Sequence, residues 1–317
     1  MINSSISEQD FQEYSELIEQ GYSQRSACDV LSLSRSSVQR YIKKLNELNV
    51  GFGDVATTVD DKAPNKPKVL FYDIETTLAK SYHFQQWQVN LSQKQKIEES
   101  HLLSVAWCWN DGDVNGDILT QQEVLEHDDE RLVLKLWCLL DNADIIIGHN
   151  AKRFDNKKAN SYFLKYGLNP PSPYRTIDTL RIAKSKFALP FNNLDYIAEY
   201  LNVGRKISTD VQLWIDCDKG NQEALDLMLD YNKQDVIVLR DVYKRLLTWG
   251  NNNVNMNTYN DDRFSCTNCG SDKVEMITNK FVHTNTNKYL AYRCNDCGSV
   301  MRANKSGEVS DKLVRVI

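Results

Sequence analysis

At 317 residues the chain is long enough for one sizeable core and smaller modules beside it. Its 43 acidic against 38 basic residues give a net charge of −5, so any contact with a polyanion must come from local basic patches. No apolar run approaches the ~20 residues that span a bilayer, and the opening MINSSISEQD lacks the layout of a signal peptide; the expectation is a cytoplasmic, reducing setting with no membrane partner.

Residues 1–50 read as wholly helical. A first helix runs from about Gln9 to Gln20 and ends at Gly21, Ser23 can cap a second through Leu31, and a third follows from about Arg35 to Leu48. Ala27, Val30, Leu31, Leu33, Val38, Ile42 and Leu45 have the spacing of a small tri-helical core. The stretch GYSQRSACDVLSLSRSSVQRYIKKL resembles helix-turn-helix DNA-binding domains. That resemblance implies a recognition helix presenting Arg35, Ser36, Ser37, Gln39, Arg40, Lys43 and Lys44 to phosphates and base edges. A helical protein-docking module is the alternative, because the first helix carries Glu13, Glu16 and Glu19. Residues 51–66 lose apolar periodicity and read as a linker.

The central domain, 67–250, opens on an apolar run, Val69 to Tyr72, that reads as a buried strand ending in Asp73-Ile74-Glu75-Thr76-Thr77. Residues i and i+2 of a strand face one side about 6.5 Å apart, so Asp73 and Glu75 aim two charges into one volume. Leu78 to Ser100 is a polar, aromatic-bearing insertion with no assigned structure. Leu102 to Trp109 reads as an interior strand, a turn at Asp111-Gly112 leads to a strand near Ile118, and Arg131 to Leu140 is an amphipathic helix. Ala143 to Gly148 is a further buried strand, Asp155 to Tyr166 a helix stopped by Gly167, and Ile177 to Lys184, Leu194 to Leu201 and Glu223 to Thr248 read as helical. This order describes an α/β sheet covered by helices.

Asp155 sits just past a buried strand, and Tyr231 and Asp235 lie four apart on one helix face. With Asp73 and Glu75 the chain offers four carboxylates, the oxygen donors that a pair of Mg²⁺ or Mn²⁺ ions requires. DIE, NAKRFD and YNKQD, in this order, resemble the three motifs of the DnaQ-like 3′-to-5′ exonucleases, in the branch whose last motif carries Tyr (DEDDy), which includes the proofreading domains of family B polymerases. The resemblance covers about Pro67 to Trp249 and implies an RNase H-like mixed sheet with flanking helices. It further implies Asp73, Glu75, Asp155 and Asp235 as metal ligands and Tyr231 as the group that positions the attacking water. An unperturbed tyrosine titrates near pH 10, which suits an orienting hydrogen bond better than a strong base. Asn150 and Phe154 fit the second motif as substrate contacts, with ordinary packing as the other reading, and backbone groups around Thr76 and Thr77 would hold the terminal nucleotide. Asp178, Asp195 and His149 are expected to serve structure.

After an expected linker at 251–262, residues 263–317 carry two CxxC pairs, Cys266/Cys269 and Cys294/Cys297, each followed by glycine. Two such knuckles signal one structural Zn²⁺ held by four thiolates, and the segment resembles a zinc ribbon. Lys280, Lys288, Arg293, Arg302 and Lys305 with Phe281, Tyr289 and Tyr292 could grip nucleic acid, or the ribbon could dock protein.

The sequence therefore reads as a divalent-metal-dependent 3′-to-5′ exonuclease acting on nucleic acid, DNA favoured over RNA, with a replication or repair protein as a candidate partner. The alternative is a DNA-binding regulator or a recombination or transposon-type protein that uses the nuclease-like fold as scaffold or endonuclease.

Overall fold

The computed structural model describes residues 67–303 apart from 85–86, 88–89, 206, 208, 251–253 and 260–263, together with residues 12–14, 16–17, 27, 30 and 31. Residues 12–14, 16–17, 27 and 30 are helical, and Tyr14 and Ala27 are buried. The expected third helix with Arg35 to Lys44, the linker at 51–66 and Lys305 lie outside the described residues.

The central domain opens on β1 (Val69–Thr76). A short antiparallel pair follows, β2 (Lys80–Ser81) and β3 (Lys96–Glu98), then β4 (Leu102–Trp109) and β5 (Asn115–Ile118). Helices α1 (Gln121–Glu126) and α2 (Glu130–Asp141) lead to β6 (Ile145–Gly148), and α3 (Asp155–Lys165) to β7 (Arg175–Asp178). Four helices complete it: α4 (Thr179–Lys186), α5 (Leu194–Leu201), α6 (Val211–Asp218) and the 25-residue α7 (Gln222–Leu246). The sheet order is β5-β4-β1-β6-β7. β1, β4 and β5 pair antiparallel, whereas β1, β6 and β7 pair parallel.

β1 is the central strand, and its alternation divides the core in two. Leu70, Tyr72 and Ile74 point to a layer with Leu132, Leu136 and Leu140 of α2 and Tyr162 and Phe163 of α3. Val69 and Phe71 point to the other layer, with Ile197 of α5 and Val236, Leu239 and Val242 of α7. Phe71 meets Tyr243 edge to face, ring centroids 5.5 Å apart. Fully burying one such aliphatic side chain is worth about 1.5–3 kcal/mol, so these two layers carry most of the domain's stability. Strand parity then puts Asp73 and Glu75 on the same face as Phe71, toward α7.

Three local expectations change. Ile177 and Asp178 close β7 rather than starting a helix, because β6 offers them a parallel edge to pair with. The short helices α1 and α6 are not among the expected elements, and their caps mark them: a Thr120/Glu123 capping box starts α1 and the Asp210 side chain caps α6. In the stretch expected as a linker, Val254 is buried and Met256 and Tyr259 pack on the α7 layer.

The C-terminal module is a three-stranded antiparallel sheet of β8 (Val274–His283), β9 (Lys288–Cys294) and β10 (Val300–Arg302), in the order β10-β9-β8. β8 buries no residue, and the module's described interior amounts to Cys266, Ala291, Cys294, Ser265 and Ser299. The module sits on the end of α7. Asn268 Nδ2 donates to the carbonyls of Leu247 (3.0 Å) and Gly250 (3.2 Å), and Thr248 Oγ1 donates to the Cys297 carbonyl. Among the described residues no helix is long and apolar enough to cross a membrane.

Candidate active site

Asp73 and Glu75 leave β1 toward α7, where a buried Asp235 meets them; one carboxylate oxygen from each of the three lies within 4.8 Å of the others. Asn232, one turn before Asp235, is fully buried and shares its helix face. Its Nδ2 donates to Asp73 Oδ2 at 2.8 Å, and its Oδ1 accepts from Ser104 Oγ of β4 at 3.0 Å. One amide thus links β4, β1 and α7 and fixes the orientation of the Asp73 carboxylate. Sequence reasoning passed over Asn232, although its place between Tyr231 and Asp235 in YNKQD was the available signal.

Asp155 stands apart from that trio. It is the first residue of α3 and is buried. Burial pushes its carboxyl up to about 7 and the nearby Asp178 charge adds to the rise, against hydrogen bonds from its own backbone and from that of Ile74. The Ile74 contact sets Asp155 against β1 between Asp73 and Glu75. Tyr231 lies one turn before Asp235, half-buried, with its ring edge to face on Trp214 at 5.9 Å.

The turn from β6 to α3 holds Asp155 in place. A Cβ on Gly148 would lie 2.6 Å from that of Ala151, so the turn closes only over glycine. Asn150 adopts a left-handed backbone, φ 68°, which asparagine tolerates. Asp178 accepts from the backbone N–H groups of Asn150 (3.0 Å) and Lys152 (3.3 Å) while capping α4 through Leu180 and Arg181. His149 meets Thr179 Oγ1 and the Asn192 carbonyl, both at 2.9 Å, and so anchors the turn.

Of the four expected substrate contacts, Phe154 is exposed at the start of α3 and Asn150 is half-buried. Thr76 follows an irregularity in the β1–β4 register between Glu75 and Thr76, the kind of bulge that re-aims a side chain beside a site. Thr77 is buried, and its Oγ1 accepts from the His101 N–H at 2.8 Å.

The second cluster brings the Sγ atoms of Cys266, Cys269, Cys294 and Cys297 within 4.8 Å of one another. Cys266 and Cys297 stand 3.6 Å apart and Cys269 and Cys294 3.7 Å. Four thiolates at 2.3 Å around a tetrahedral ion would stand roughly 3.8 Å apart, so the donor set fits Zn²⁺. The knuckles repeat one geometry: Gly270 and Gly298 are both left-handed at φ 75° and donate back to the Cys266 and Cys294 carbonyls. Hydrogen bonds from Cys269, first its thiol and then its backbone with that of Asn268, lower Cys266, while the shared thiol proton and burial raise Cys269. Cys266 is thus the thiol held toward thiolate, with its neighbour Cys269 keeping the proton.

The three gathered carboxylates are hard oxygen donors, suited to Mg²⁺ or Mn²⁺. A family model described as the RNase_H superfamily matches residues 70–247, the span from β1 to the end of α7. Among solved structures, a family B DNA polymerase from the hyperthermophilic archaeon Pyrobaculum calidifontis is similar at 15% identity and a TM-score of 0.43, over 58% of this chain and 25% of the polymerase. This chain thus spans about a quarter of that polymerase's length. No curated protein matches the sequence.

Proposed function

The chain belongs to the RNase_H superfamily, and from that premise we propose that it is a divalent-metal-dependent 3′-to-5′ exonuclease that hydrolyses phosphodiester bonds, with DNA favoured over RNA. The observation that carries the reading is the meeting of Asp73, Glu75 and Asp235 within 4.8 Å at the junction of β1 and α7. These three, with Asp155 beside them, would hold two Mg²⁺ or Mn²⁺ ions. When bound, such ions lower the pKa of water and neutralise charge at the scissile phosphate. Asn232 keeps Asp73 oriented for that task, and Asp155, whose pKa burial raises, would have to give up its proton to ligate a cation. Tyr231, braced by Trp214, orients the attacking water by hydrogen bonding. Exposed Phe154 stacks on the terminal base, while Thr76, Thr77 and Asn150 shape the wall around the terminal sugar.

Two features favour DNA and a 3′ end: the N-terminal resemblance to helix-turn-helix domains, and a third motif that carries Tyr. The four cysteines form a zinc ribbon in this reading, a structural centre that adds a basic and aromatic face. On that face Lys288 lies over Phe281 at 3.8 Å and Arg302 over Tyr289 at 4.3 Å.

The test uses end-labelled single- and double-stranded DNA and RNA with Mg²⁺ or Mn²⁺. Stepwise shortening from the 3′ end is expected, and Asp73→Ala and Asp235→Ala each abolish it. Internal fragments from a circular substrate would make the enzyme an endonuclease. Absence of metal-dependent cleavage on all four substrates would return the fold to a scaffold role.

A further inference from the structure

A third group of ligating side chains lies away from both centres, where β3, the start of β4 and the end of α1 converge. Glu98 ends β3, His101 immediately precedes β4, and His127 caps α1 in a left-handed conformation at φ 55°. One ligand atom from each lies within 4.8 Å of the others. His127 Nδ1 stands 2.8 Å and His101 Nδ1 3.9 Å from the same oxygen, Glu98 Oε1, and the two imidazole rings lie 5.3 Å apart.

An ion pair between Glu98 and His127 is the simpler account, and it leaves neither Glu98 Oε1 nor His101 Nδ1 hydrogen-bonded. Glu98 Oε1 and His101 Nδ1 are both buried with no hydrogen-bond partner among the described residues, so the 2.8 Å approach is not a hydrogen bond. The other carboxylate oxygen is accounted for, since Lys80 Nζ meets Oε2 at 2.9 Å and itself contacts Asp218 at 2.6 Å. Burial, with the Lys165 and His127 charges, holds His101 below the usual imidazole range against the pull of Asp129 and Glu98; a neutral ring is the form that ligates. Two nitrogens and an oxygen at 2.0–2.1 Å from one ion would be roughly 3.3 Å apart, a spacing the observed 2.8 and 3.9 Å straddle.

The geometry points to a third metal site, formed by Glu98, His101 and His127, that takes Zn²⁺ or a similar borderline divalent ion. Two imidazoles and one carboxylate select that class over Mg²⁺, and three protein ligands leave a position for water. The site is a clip. It ties the β2–β3 insertion to the end of α1 and to His101, whose backbone N–H and carbonyl bond Thr77, two residues beyond Glu75. An ion here stiffens the exit of β1 without touching the carboxylate cluster.

The experiment counts zinc by elemental analysis in the full-length protein, in an Asp73→Asn background with millimolar Mg²⁺ so that zinc is not held at the carboxylates. Two variants are compared with that parent: Glu98→Gln keeps the side-chain shape, and His127→Asn keeps a residue that tolerates the left-handed cap. Each is expected to hold one zinc fewer than the parent while still unfolding in one cooperative transition. An equal count in parent and variants overturns the site. Should a variant fail to fold, Co²⁺ titration of the parent decides: a cobalt equivalent with weak visible bands and no thiolate charge transfer is expected, and its absence overturns the proposal.

Discussion

The carboxylate site and the four-cysteine module are both candidate metal centres, and they are built in opposite ways. Asp73, Glu75 and Asp235 project from β1 and α7, elements already fixed by two apolar layers, and Asn232 holds one of the three in place. The module has almost no interior of its own: β8 buries nothing, and Cys266 and Cys294 are themselves a large part of what is buried. In the first case the fold makes the site; in the second the site must make the fold.

Removing zinc tests that contrast most severely. A structural zinc contributes on the order of 10 kcal/mol to a domain of this kind. Chelation or Cys294→Ser is therefore expected to lower amide protection across β8–β10 by at least ~10³-fold while β4 keeps its protection. Hydrogen exchange read by mass spectrometry checks this, and equal losses in both regions would erase the distinction.

A smaller effect concerns Asp155 in metal-free protein. Its folded pKa of about 7 exceeds the unfolded value, so the folded state binds the extra proton and stability is lost as pH rises from about 4 to about 7. At ~1.4 kcal/mol per unit the loss reaches about 4 kcal/mol, and Asp155→Asn should flatten the slope of a urea-melt series against pH. If Mg²⁺ also flattens it in the wild type, Asp155 belongs to the ion's ligand set with the other three.

Asn232→Ala comes next. It strands Ser104 and loosens Asp73, at an expected cost of about 1–3 kcal/mol in denaturant melts and about tenfold in cleavage rate. A stability loss with no change in rate would mean that the amide serves the core alone. The mildest is Asn268→Ala, which uncouples the module from the α7 carbonyls at about 1 kcal/mol, read as faster exchange at the end of α7 with zinc still bound.

Legibility in the sequence followed burial. β4 was readable to its ends, Leu102 and Trp109, because an interior strand is apolar on both faces. β1 and β6 were recognisable for the same reason, and α5 matched its expected span, Leu194–Leu201. Helices α1 and α6 escaped because each buries only one or two residues, too few to set a period. Ile177 and Asp178 read as helix because strand pairing depends on a neighbour distant in sequence. At the site, the pairing of Asp73 with Glu75 follows from strand parity, but the meeting with Asp235 depends on how α7 crosses the sheet. Asn232 was hidden for a related reason: an asparagine in a helix says nothing until a serine on β4 and an aspartate on β1 are seen to share it. The Glu98, His101 and His127 group comes from three separate segments at irregular spacing, so no motif announces it.

One continuous helix carries Asp235 and ends beneath the cysteine knuckles. From Asp235 to Leu246 the rise is about 16 Å, so the separation of the two centres is counted in turns rather than set by a tether. A strut of this kind transmits rotation as well as length. Inserting one residue between them would swing the module by about 100° around the helix axis, and either the Asn268 contacts or the seat of α7 on the sheet would have to give way. The helix therefore works as a phase key, locking the angle at which anything bound to the basic, aromatic face of β8–β10 can face the carboxylates.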